Sequence, residues 1–204
     1  MANGATDIED APWRPAGPLF PDPIGERRAA AGYDPKDDTN DLAVDNNGVV
    51  RARSYLLGDK TIFEVRPEAE SSFVKVAEFP ANDPKWSFRG FAADNETLYV
   101  ITTDQTDTGA LHTLNVRTQQ LSPVLFHTPA GEISSVLTSW DRSKFYGVSY
   151  DTDKLYYSFA DQGRADLQRT IDASLPGTHN TIRSISADEK IMAVLASSDR
   201  DPGT

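Results

Sequence analysis

A chain of 204 residues of which 38% are apolar can bury a sizeable core, which excludes a wholly disordered protein. Its 31 acidic and 20 basic residues give a net charge of −11, a surface that repels phosphate backbones and anionic lipid. There is no cysteine, so disulfides, thiolate nucleophiles and thiolate-bound metals are excluded as well.

Residues 1–40 are set apart by proline. Six of the 13 prolines fall there, at Pro12, Pro15, Pro18, Pro21, Pro23 and Pro35, and they favour extended or turn backbone. One short helix is predicted within this irregular segment. Asp22 caps it, Pro23 suits its first position, Glu26 to Ala31 propagate it and Gly32 ends it. Met1 to Pro12 lack the basic-then-apolar order of a secretory signal. No stretch of the chain approaches the roughly 18 apolar residues of a membrane-spanning helix.

Residues 41–204 change to short β-rich runs bounded by Asp, Asn, Gly and Ser. Thr61, Phe63 and Val65 alternate with polar neighbours, as do Val74 and Val76. Leu98–Thr103, Ala110–Val116, Leu121–Phe126, Phe145–Tyr150, Leu155–Phe159, Thr181–Ile185 and Ile191–Ser197 complete the predicted strands. Between Asp161 and Leu175 the period switches. Leu167, Ile171 and Leu175 recur every fourth residue, which predicts an amphipathic helix started near Asp161 and stopped by Pro176-Gly177. The helix stands where an outer strand is expected, and is predicted to cover one sheet edge.

A repeat runs through the same region. Val44-Asp45-Asn46-Asn47-Gly48, Ala93-Asp94-Asn95-Glu96-Thr97, Trp140-Asp141-Arg142-Ser143-Lys144 and Ala187-Asp188-Glu189-Lys190 each place an Asp just before a strand. The four aspartates lie 49, 47 and 47 residues apart, and the fourth copy reads as one residue shorter before its strand. A period of about 40 to 50 residues with three or four strands per unit is that of propeller blades. An Asp side chain suits the position because it accepts a bond from the backbone two residues on and closes the turn. The predicted fold is all-β: a partial β-propeller of three to four antiparallel blades with one inserted helix and an irregular N-terminal segment. Ser198 to Thr204 has the composition of a hairpin loop with no strand after it, from which truncation of the last blade is expected.

Several of these segments resemble the propeller of the prolyl oligopeptidase family, in particular its dipeptidyl-peptidase and acylaminoacyl-peptidase-like members. Ser198-Asp199-Arg200-Asp201-Pro202-Gly203-Thr204 is similar to a loop those propellers carry. Gly90-Phe91-Ala92-Ala93-Asp94 with Thr97-Leu98-Tyr99-Val100 is similar to their turn and strand, and Ala110-Leu111-His112-Thr113-Leu114-Asn115-Val116 to the strand after it. Asp172-Ala173-Ser174-Leu175-Pro176-Gly177 is similar to the end of a helix in the same subgroup. The resemblance covers roughly Asp41 to Thr204. It implies a propeller that restricts peptide access to an α/β-hydrolase domain, whose Ser, Asp and His are not in this chain. That domain and its peptide substrates are the implied partners, and no catalytic, cofactor or metal residue is transferred.

The residues themselves agree that catalysis lies elsewhere. Gly147-Val148-Ser149-Tyr150-Asp151 is the nearest approach to a nucleophile elbow, but the elbow needs a small residue where Asp151 stands. His112, His127 and His179 lack ligand spacing and read as surface or packed side chains. Asp104/Asp107, Asp151/Asp153 and Asp199/Asp201 lack the calcium-loop pattern and read as turn formers. Asn95-Glu96-Thr97 matches a glycosylation sequon. Trp86, Trp140 and the tyrosines are expected to pack between sheets. The expectation is a non-catalytic propeller fragment of a serine peptidase, with no cofactor, no nucleic acid and open blade edges through which it could self-associate. The alternative is a stand-alone propeller-like scaffold that binds protein or peptide. A glycan-acting enzyme would need paired carboxylates that sequence cannot single out.

Overall fold

The computed structural model of the protein describes residues 39–199, so the predicted helix after Asp22 and the residues from Arg200 onward lie outside it. The described residues form 14 strands and one helix, α1 (Gln162–Ser174). The first sheet is a four-stranded antiparallel meander: β1 (Thr39–Val44), β2 (Val50–Leu57), β3 (Lys60–Val65) and β4 (Val74–Pro80). The second contains β5 (Trp86–Phe91), β6 (Thr97–Thr102), β7 (Ala110–Asn115), β8 (Gln120–Leu121) and β9 (Phe126–His127). The third has β10 (Glu132–Thr138), β11 (Phe145–Asp151) and β12 (Leu155–Phe159), and the fourth pairs β13 (His179–Ile185) with β14 (Met192–Ser197). This is the expected all-β, partial β-propeller. Among the described residues no helix is long and apolar enough to cross a membrane.

The core lies between successive sheets. Phe63 and Val65 of the first sheet meet Phe88, Leu98, Val100 and Leu114 of the second. Phe63 packs edge-on to Phe79 and Phe88, with their ring centroids 5.9 and 5.6 Å away. On the opposite face, Tyr99, Ile101 and Leu111 meet Ile133 and Val148 of the third sheet. The strand β6 therefore buries both faces, which is why its sequence reads as a continuous apolar run instead of alternating.

Four strands (β1, β2, β5 and β10) are absent from the sequence prediction, and three of them open a sheet. Each first strand (β1, β5, β10 and β13) slips register against its second strand at least once. A bulge inserts an unpaired residue and shifts the side-chain alternation by one, so the period-two signal fails there. A second correction concerns Leu121–Phe126, which is not one strand. Leu121 pairs with Leu114 and Phe126 with Leu111, so two residues more than the partner strand needs are looped out around Pro123, which has no N–H to donate. Ser122 Oγ fills in, accepting from Thr113 N at 2.9 Å.

The helix α1 follows β12 as predicted and packs against β12 and β13, with no fourth strand in the third sheet among the described residues. Asp161 caps it by accepting from Arg164 N at 2.8 Å. The apolar stripe is only partly used: Leu167 and Ile171 are half-buried and Leu175 is 41% exposed. The helix is docked instead through Arg164, its one buried side chain.

The four aspartate turns join the first and second strands of each sheet. Asp45, Asp94, Asp141 and Asp188 accept, through Oδ1, from the backbone N–H two residues on at 2.9, 2.9, 3.1 and 3.3 Å. The first copy is the irregular one. The last three share one geometry, closed by backbone bonds from Ala92, Ser139 and Ser186 N to Thr97, Lys144 and Ile191 O. In each of these three the residue after the Asp (Asn95, Arg142 or Glu189) takes a left-handed φ of 55 to 60°. In the first, Asp45 itself opens the turn and Gly48 supplies the positive φ of 81°. No fourth-copy deletion exists in the loop itself.

Hydroxyls reinforce these carboxylates. Ser139 and Ser143 donate to Asp141 at 2.6 and 2.8 Å and, with the Ser143 N–H, hold its pKa down to about 2 from 3.8. The Ser186 hydroxyl and the Lys190 N–H lower Asp188 in the same way. At Asp94 burial pushes upward, and the bonds from Thr97 and Glu96 outweigh it. A depressed folded-state pKa stabilises above the ordinary carboxylate range and is lost as pH falls through the folded value. The urea midpoint should therefore drop as pH falls from about 4 towards 2. Asp141→Asn, which keeps the acceptor and loses the charge, should flatten that slope. Gly147, in the middle of β11, has φ of +145° and an added Cβ would stand 2.1 Å from Ser158 O. Gly147→Ala should cost about 2 kcal/mol or more in urea unfolding.

Candidate functional site

A cleft of about 320 Å³ opens between the third sheet, α1 and the β13–β14 hairpin. Its walls are largely apolar, with Val136 and Leu137 from β10, Tyr157 and Phe159 from β12, and Ile182 and Ile185 from β13. These side chains are half-buried, in contrast to the sealed contacts between the first three sheets. Among the described residues the fourth sheet has two strands where the first has four.

Arg164 forms the floor. It is 8% exposed, pairs with Glu189 Oε1 at 2.8 Å and lies 4.3 Å from the centroid of the Tyr146 ring. The Tyr146 hydroxyl donates to the same Glu189 oxygen at 2.7 Å. This trio ties the helix, the third sheet and the fourth sheet's turn together around one charged hydrogen-bonded centre. Burying a guanidinium is tolerable only because the carboxylate and the ring face both meet it.

Trp140 stands on the rim and corrects the packing expectation, being 78% exposed. It occupies the turn position held by Ala93 and Ala187 in the equivalent copies. A smaller groove shares Trp140, Tyr146 and Glu189 with the cleft and runs across both turns. Trp86, by contrast, packs as expected, 6.0 Å from Phe63 and 6.1 Å from Phe79 between ring centroids.

The other sequence candidates are dispersed. Ser149 lies inside β11, 3% exposed and opposite Tyr157 of β12, so the backbone runs straight through as a strand where an elbow would turn. His112 Nδ1 lies 2.8 Å from Ser122 O, His127 Nε2 lies 3.0 Å from Thr108 Oγ1, and His179 Nε2 lies 2.7 Å from Leu155 O. Asp151 accepts from Ser134, Asp153 from Thr152, and Asp199 pairs with Lys154. Among the described residues no three His, Asp or Glu side chains gather where a metal could sit. Asn95 of the sequon accepts from Asn46 N and Nδ2 at 2.8 and 2.7 Å, so its amide already serves as a link between sheets.

The cleft was missed in the sequence because its parts come from five elements and two turns. The one available signal was Trp140, an aromatic in a turn position otherwise filled by Ala. Neither family models nor curated proteins give a match to the chain. Removing the carboxylate by Glu189→Ala would leave Arg164 buried without its partner. Thermal and urea unfolding should then show a loss of about 1–2 kcal/mol, Glu189 being partly solvent-screened.

Proposed function

We propose that this chain is the non-catalytic β-propeller portion of a prolyl oligopeptidase-family serine peptidase, controlling peptide access to an α/β-hydrolase domain encoded beside it. The observation that carries the reading is the repeat. Three turns of one geometry, spaced by 47 residues, each join the first two strands of a sheet. Together with the local resemblances at Gly90–Val100, Ala110–Val116 and Asp172–Gly177, they support a blade array of that family. The position of Ser149 within β11 fits a chain that contributes no nucleophile.

A second reading draws on Trp140 and the cleft behind it. An exposed indole beside an apolar cleft suits a scaffold that binds a peptide or protein without belonging to an enzyme, since fold does not fix function. A fluorogenic dipeptide panel decides between the two, run on this chain and on the complete product of its gene. Hydrolysis by the complete product alone supports the peptidase. Silence of a well-folded complete product supports the scaffold. Hydrolysis by this chain that disappears in Ser149→Ala would overturn both.

A further inference from the structure

The cleft has the size of a small-ligand site, at the lower end of the usual range of about 300–1,000 Å³, and the usual lining of aromatic and aliphatic walls with few polar groups. Its charges are unequal. Arg164, Arg183 and Glu189 line it, and Glu189 is already committed to Arg164 and Tyr146. Arg183 has no ion-pair partner among the described residues. Burial raises the pKa of the neighbouring Tyr157 phenol, against which the Ile182 carbonyl contact and the Arg183 charge pull only partway back. In a chain of net charge −11, an uncompensated guanidinium on an apolar wall is a local exception.

The backbone explains how it gets there. Ile182 pairs with Val194 and Ser184 with Ala193, so Arg183 is the extra residue of a bulge in β13. A bulge re-aims the side chain it carries, and here Arg183 lines the same cleft as its neighbours Ile182 and Ser184. We propose that this cleft binds a hydrophobic carboxylate, with its aryl or alkyl part between Trp140 and the Phe159–Ile182 walls and its carboxylate on Arg183. The planar guanidinium offers paired N–H donors that match a carboxylate, and the apolar walls favour a ligand with little other polarity. A peptide's C-terminal hydrophobic residue and a free arylalkanoate both have this chemistry. The inference does not rest on the peptidase reading.

N-acetyl-L-phenylalanine is the probe, titrated by calorimetry and by intrinsic tryptophan fluorescence, with Trp140→Phe separating the Trp140 signal from the other tryptophans. It should bind saturably, and its neutral amide should bind about tenfold more weakly or worse. Arg183→Gln should weaken the acid by a similar factor, leave the amide unchanged and leave the unfolding midpoint in place, since Arg183 is exposed. Arg183→Lys should recover part of the loss. Hydrocinnamate, which lacks the acetamide, separates the sources: weaker binding than the probe assigns a peptide C-terminus, and equal binding a free arylalkanoate. Equal affinity for acid and amide, or no saturation by either, overturns the proposal.

Discussion

One hydrogen bond, repeated with different chemistry, holds the sheets in order. In each of the last three turns the residue after the Asp takes a left-handed backbone conformation and presents an acceptor to the sheet before it. Asn95 Oδ1 receives the amide of Asn46, Arg142 O receives Ala93 N at 3.1 Å, and Glu189 Oε1 receives Tyr146 and Arg164. Side-chain amide, main-chain carbonyl and carboxylate thus do the same work at positions 47 residues apart. A left-handed non-glycine residue is costly, and here the turn-closing Asp and the contact with the previous sheet both act to hold it.

The apolar contacts follow from that order. Once neighbouring turns are tied, the strands behind them face one another, with Asp41 of β1 accepting from Phe88 N of β5 at 3.0 Å. Between the first and second sheets and between the second and third, the result is a closed layer of fully buried side chains. Between the third and fourth the tie is ionic and the layer is incomplete, and that is where the cleft lies.

Much of the fold was legible because its signals are local. The Asp turns declare themselves through residue type and spacing, and α1 through three apolar residues recurring at every fourth position with Asp161 before them. Where the prediction failed, a local rule was broken by something distant. The first strands β1, β5 and β10 lost their alternation to bulges set by their partners, and Ser122-Pro123 split a strand that composition alone would have kept whole. Arg164 lies off the apolar stripe yet anchors the helix, because Tyr146 and Glu189 come from elements on either side of it. The cleft was not legible at all. No one segment contains it, and the bulge that places Arg183 exists only once β14 is paired.

The links between turns also have a direction. Asn46 reaches 49 residues ahead and Tyr146 reaches 43, and in each case the acceptor belongs to the later sheet. On a chain emerging from the ribosome, a completed hairpin must therefore wait for the next unit to be synthesised before its tie can form. Long waits of this kind slow assembly and leave strand edges open meanwhile. Growth becomes ratchet-like: each newly made unit locks the one before it, and the newest is always the least secured.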